Sequence, residues 1–131
     1  MFAAFPLAER KVLGSSAKCA PYGVEAAYKN SKAVFVGEVL SAAVDGDVKT
    51  FTFAVEKNWK GAASEEIEVS VQQTMRYQAW FEVGEKYLVY ARGNGKDDER
   101  LWEFRCSRSK SLEDAAEDIT KLGRAKKPAE K

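Results

Sequence analysis

Between Ala33 and Cys106 the sequence divides into five short runs whose apolar residues recur at every second position or fill both faces. That spacing suits strands and is wrong for helices. Lys49 to Lys57 is the plainest case: Phe51, Phe53 and Val55 fall on one face, and Thr50, Thr52 and Glu56 on the other. Glu66 to Val71 repeats the pattern with Ile67, Val69 and Val71 inward. The run Ala33 to Leu40 is apolar on both faces, as in a strand covered on both sides or bent around a barrel, and Gly37 supplies a point for the bend. Asp45-Gly46 is turn chemistry between the first two runs. Lys86 to Ala91 and Leu101 to Cys106, separated by the polar tip Gly93 to Glu99, are expected to pair as a hairpin. In the last run Trp102, Phe104 and Cys106 share a face, so Cys106 points into the core if the two aromatics do.

Two helices flank these strands. The first is short, about Val24 to Lys29. The second carries Leu112, Ala115, Ala116, Ile119 and Leu122 at helical spacing, with Ser111 as N-cap and Gly123 just past the end. Five strands with a helix at each end predict a mainly β fold, a five-stranded Greek-key oligonucleotide/oligosaccharide-binding (OB) barrel with a short N-terminal helix and a C-terminal helix packed on it. Pattern alone leaves a sandwich open. The chain divides into residues 1–16 as a flexible arm or processed segment, 17–123 as one domain, and a charged tail from Arg124 to Lys131.

Composition removes several function classes. The 131 residues contain no histidine, so a Ser-His-Asp or Cys-His arrangement and a His-ligated zinc site cannot be built. No glycine-rich phosphate loop replaces them, and an enzyme is not expected. Twenty-one Lys and Arg balance 20 Asp and Glu, which gives no electrostatic case for nucleic acid. No apolar run approaches the roughly 20 residues of a membrane span. The opening Met1 to Ala8 lacks a charged start, so it reads as a truncated leader, a remnant of cloning or an arm, although Gly14 and Ser16 would permit cleavage before Ala17. The acidic groups Glu65-Glu66-Glu68 and Asp97-Asp98-Glu99 lack a calcium-loop spacing and read as solvated surface; no metal or other cofactor is expected. The two cysteines, Cys19 and Cys106, are either a crosslink or two buried free thiols.

Four segments in order, CAPYGVEAAYKNSKAVFVGEV from Cys19, FAVEKNWKG from Phe53, FEVGEKYLVYA from Phe81 and CSRSKSLEDAAEDITKLG from Cys106, resemble the netrin-like domain in its tissue-inhibitor-of-metalloproteinases form, in particular the single-domain bacterial relatives. The resemblance covers about Ala17 to Gly123. It implies a secreted, extracellular or periplasmic protein-binding module, a monomer whose partner could be a metalloprotease. Members read Cys-x-Cys-x-Pro at the start of the domain; alignment on Pro21 puts Cys19 at the second cysteine and Ala17 at the first. In inhibitory members that first cysteine clamps the target's zinc through its free amine and carbonyl, held by a disulfide to a loop cysteine. Here the loop Gln72 to Trp80 has none, and the third family position is Lys29. The resemblance leaves one bridge, Cys19 to Cys106.

The implied partner surface is the N-terminal segment Ala17, Lys18, Cys19, Ala20 and Pro21 beside the loop residues Met75, Arg76, Tyr77 and Trp80. Lys18 holds the position that enters a protease's main pocket, where a lysine suits an acidic pocket better than an apolar one, or else it is an exposed linker residue. Large aromatics and arginine favour interface anchors, though Trp80 and Phe81 could equally begin the core. The alternative function is a non-inhibitory OB-fold module for another protein, an oligosaccharide or single-stranded nucleic acid.

Overall fold

The computed structural model describes residues 23–62, 64–74, 80–93, 100–104 and 107–125. Along the chain these form α1 (Val24–Asn30), β1 (Ala33–Asp45), β2 (Val48–Lys60), β3 (Glu66–Gln72), β4 (Lys86–Ala91), β5 (Leu101–Glu103), β6 (Lys110–Ser111), a 3-10 turn at Leu112–Asp114 and α2 (Ala116–Leu122). The strands make one sheet, ordered β5-β3-β2-β1-β4-β6, that curls into a half-barrel.

The β1–β2 hairpin organises the sheet. Asp45 pairs with Val48 across the two-residue turn Gly46-Asp47, and Gly46 has φ +63°, a conformation that suits glycine. The β1–β2 register slips between Val36 and Gly37, where a side chain would meet the Ala54 carbonyl oxygen at 2.9 Å and Phe53 Cβ at 3.2 Å. The bend expected at Gly37 therefore has a steric basis, since only glycine lets the two strands approach this closely.

Both faces of β1 and β4 are covered. On the concave face Phe35, Val39, Phe51, Phe53, Val69, Val71 and Val89 form the larger core. On the convex face Val34, Val36, Leu88 and Tyr90 pack with Ala27 of α1 and Ala115, with Tyr28, Ile119 and Leu122 alongside. Each fully buried Phe or Leu contributes roughly 2 to 3 kcal/mol, so the double-sided burial of β1 anticipated from Ala33 to Leu40 is a main source of stability. Polar contacts fix the helices: Trp59 Nε1 donates to the Gly123 carbonyl at 2.9 Å and Lys60 Nζ to the Tyr28 carbonyl at 2.8 Å.

Three expectations are corrected. The sheet has six strands, and β5 does not form a hairpin ladder with β4; it pairs parallel with β3 and meets β4 through one bridge, Arg92 to Trp102, with N···O distances of 2.8 and 2.7 Å. The faces of β5 are reversed. Register places Leu101 beside Val69 and Glu103 beside Val71 on the concave side, so Glu103 is 3% exposed while Phe104 is 38% exposed. Trp102 stands opposite Ser70 on the other face, with the Arg100 guanidinium over its ring. Finally, Ser111 precedes the 3-10 turn and bonds Asp114, whereas α2 begins only after Ala115. Burial of Leu112 and Ala115 against the sheet is met by this tighter first turn, not by one continuous helix.

Candidate partner-binding surface

The residues just ahead of β4, from Trp80, are pinned to the larger core by aromatic packing. Phe81 is buried and meets Phe51 and Phe53 edge-on, each with ring centroids 5.3 Å apart. Tyr87 closes the group at 4.8 Å from Phe81, and its hydroxyl accepts the Glu82 N–H at 2.8 Å. Burial pushes the Tyr87 phenol above its ordinary pKa, so it stays protonated at neutral pH. Trp80 lies on this base, 4.4 Å from Phe81 and 5.2 Å from Tyr87. It remains 38% exposed. An indole held on one side by core rings and open on the other has little rotamer freedom to lose on binding, which suits an interface anchor.

Two further apolar side chains are exposed on the turn that follows and at its docking point on β1. The turn Glu82 to Glu85 docks on β1 through Val39 N–H to the Glu85 carbonyl at 3.0 Å and Gly84 N–H to the Val39 carbonyl at 2.8 Å. Val83 on this turn is 60% exposed, and Leu40, next to the docking point, is 43% exposed.

Of the residues expected to bind a partner, Trp80 is thus placed at the surface. Ala17, Lys18, Cys19, Ala20, Pro21, Met75, Arg76 and Tyr77 lie outside the described residues, as does Cys106 with its expected bridge to Cys19. Phe81, which could have belonged to either the interface or the core, belongs to the core.

Two buried carboxylates were not singled out by the sequence reading. Asp118, 1% exposed, receives Arg108 Nε at 2.7 Å, Arg108 Nη2 at 2.9 Å, Lys110 Nζ at 2.9 Å and the Tyr90 hydroxyl at 2.8 Å. Burial opposes its ionisation, but the hydrogen bonds from Arg108, Lys110 and Tyr90 outweigh that and hold its pKa below the usual value. Burial first, and then Asp118, drives the Tyr90 hydroxyl well above its ordinary range. The cluster clasps α2 to β4 and β6. Glu103 instead has only hydroxyl donors, Ser107 and, at 2.8 Å, Ser109; burial raises its pKa to about 7 against their opposing pull. The available signals were Asp118 one turn after the apolar Ala115, and serines at 107 and 109 following a lone acid between aromatics.

No protein-family model matches the chain, and no curated protein matches it. Among the described residues no group of three or more His, Cys, Asp or Glu is arranged to hold a metal ion, and no helix is long and apolar enough to cross a membrane.

Proposed function

We propose that this chain is a secreted or periplasmic netrin-like module, similar to tissue inhibitors of metalloproteinases, that binds a protein partner through the Ala17 to Pro21 segment and the loop ending at Trp80. The observation that carries the reading is Trp80, 38% exposed on a base of the core rings Phe81 and Tyr87. Strand order supports the OB-type barrel within this proposal. The neighbours β1-β2-β3-β5 return to β4 by the Arg92–Trp102 bridge, and β4 pairs with β1, so five strands follow one another around a ring with β3 and β5 parallel.

Ala17 at the position of the zinc-clamping cysteine sets the expected strength. Without the disulfide that would pre-organise the clamp, ordering the segment costs affinity. The chain as given should inhibit a metalloprotease panel at best in the micromolar range, and Trp80→Ala should weaken that inhibition about tenfold or more. A chain starting at position 17 with Ala17→Cys and Tyr77→Cys should gain affinity. Nanomolar inhibition by the unmodified chain would show that the Ala17 departure is immaterial; absence of inhibition by both chains would refute the inhibitory reading and leave a module for another protein.

A further inference from the structure

We infer that the edge of β1 from Leu40 to Asp45, unpaired among the described residues, is a strand-addition site for an extended, basic-flanked segment of a partner protein. The inference goes beyond the Trp80 surface and does not depend on the family resemblance. The β1–β4 ladder ends at Glu38, and the Glu82 to Glu85 turn occupies only Val39. Beyond it, every residue from Leu40 to Asp47 is exposed. On its other side this stretch is paired with β2: Ser41 with Thr52, Ala42 with Phe51, Ala43 with Thr50, Val44 with Lys49 and Asp45 with Val48.

Alternation across an antiparallel ladder decides which backbone groups are open. The pair flanking a two-residue turn exchanges both hydrogen bonds, so Asp45, Ala43 and Ser41 bond to β2 while Ala42 and Val44 turn their N–H and C=O groups outward. Val39, whose outward groups bond Glu85 and Gly84, fits this alternation once the bulge between Val39 and Ser41 is counted. The edge thus offers two donors and two acceptors spaced about 7 Å apart within an exposed stretch of about 20 Å. Past the bulge it lacks the two commonest protections, since Ser41-Ala-Ala-Val44 contains no proline and no charge, and Leu40 and Val44 are 43% and 64% exposed.

Charge selects the occupant. Asp45, Asp47, Glu82 and Glu85 are all exposed at the two ends of this edge. The lysines nearby are engaged: Lys86 pairs with Glu56 at 3.0 Å, and Lys49 lies over the Phe51 ring at 5.3 Å. A second copy added antiparallel, with Ala42 opposite Val44, would bring Asp45 and Asp47 of each chain against Glu82 and Glu85 of the other, twice over by symmetry. Self-pairing is therefore opposed, and a foreign strand with uncharged β-branched residues at its centre and Lys or Arg at its ends is favoured.

The test uses the full chain and a capped hexapeptide of alternating Thr and Val between terminal lysines, with a glutamate-flanked counterpart. Before addition the Ala42 and Val44 amides should exchange with solvent quickly. Binding of the lysine peptide should slow both at least tenfold, and the glutamate peptide should bind at least tenfold more weakly. Val44→Pro removes an outward N–H without a bond to β2, so it should keep the fold and abolish binding; Val44→Lys, which adds a repelling charge at the edge, should weaken the lysine peptide as well. Overturning results are unchanged binding in either variant, amides already protected in the free chain, or a concentration-dependent dimer that Val44→Pro dissolves, which would assign the edge to a second copy.

Discussion

Glu103 and Asp118 are both buried carboxylates on strands and helices that read as apolar, yet their surroundings push them in opposite directions. Glu103 has hydroxyl partners only, and its pKa rises from the ordinary 4.5 to about 7. Between those values the folded chain binds the proton that the unfolded chain has released, so stability falls as pH rises and the whole deficit, roughly 3 kcal/mol, is present above pH 7. Glu103→Gln should therefore flatten the decline between pH 4.5 and 7 and be the more stable form at pH 8, as urea unfolding across pH would read. Asp118 has the reverse sign: its lowered pKa gives stability above the unfolded value that is lost as pH falls through the folded one. Asp118→Asn should cost about 2 to 3 kcal/mol at neutral pH, because Arg108 and Lys110, each about one quarter exposed, keep some hydration. A loss below about 0.5 kcal/mol would show that solvent replaces the clasp. Neither residue was legible beforehand, since local alternation reports which face a side chain occupies and not which distant donors wait there.

At the scale of elements, the sequence pattern succeeded where a strand has many neighbours and failed where it has few. β1 and β2 run 13 residues each and are held by an extended ladder, so Phe35, Phe51 and Phe53 go where their spacing sends them. β5 has three residues and a parallel partner remote in sequence, and its facing is set by the register with β3. Trp102 and Phe104 consequently lose the interior to Glu103, whose cost is lowered by serines further along the chain. The hairpin makes the opposite test, in which local sequence should count for most. Gly46→Ala meets no atom within 4 Å and suffers only its positive φ, so it should cost about 1 kcal/mol. Gly37→Ala must push the Ala54 carbonyl and the Phe53 side chain away from contacts of 2.9 and 3.2 Å, and should cost about 2 to 3 kcal/mol. Denaturation midpoints in the reverse order would mean that the bulge relaxes and the turn does not.

For the whole molecule, the legible part of the proposed binding surface was its aromatic content: Trp80 and Phe81 were both visible as large side chains near a strand start, but only tertiary packing could divide them between surface and core. The remaining expectation concerns the chain's ends, because the resemblance joins Cys19 to Cys106 and so ties the segment ahead of α1 to the stretch after β5. Such a crosslink closes a loop of about 87 residues, worth roughly 4 to 5 kcal/mol in the chain-entropy account where the native geometry is unstrained. Paired nonreducing and reducing peptide maps of the aerobically purified protein should show the two cysteines in one linked fragment, and intact mass should be lower by two hydrogens than that of the reduced chain. Cys106→Ser should then lower stability by about 2 to 5 kcal/mol, and the Cys19→Ser variant should lose the same amount, since either change opens the same loop. Two free thiols after aerobic purification would remove the bridge. Unequal losses would instead mean that one cysteine contributes by its own packing, and the N-terminal segment would then need another anchor to stand beside Trp80.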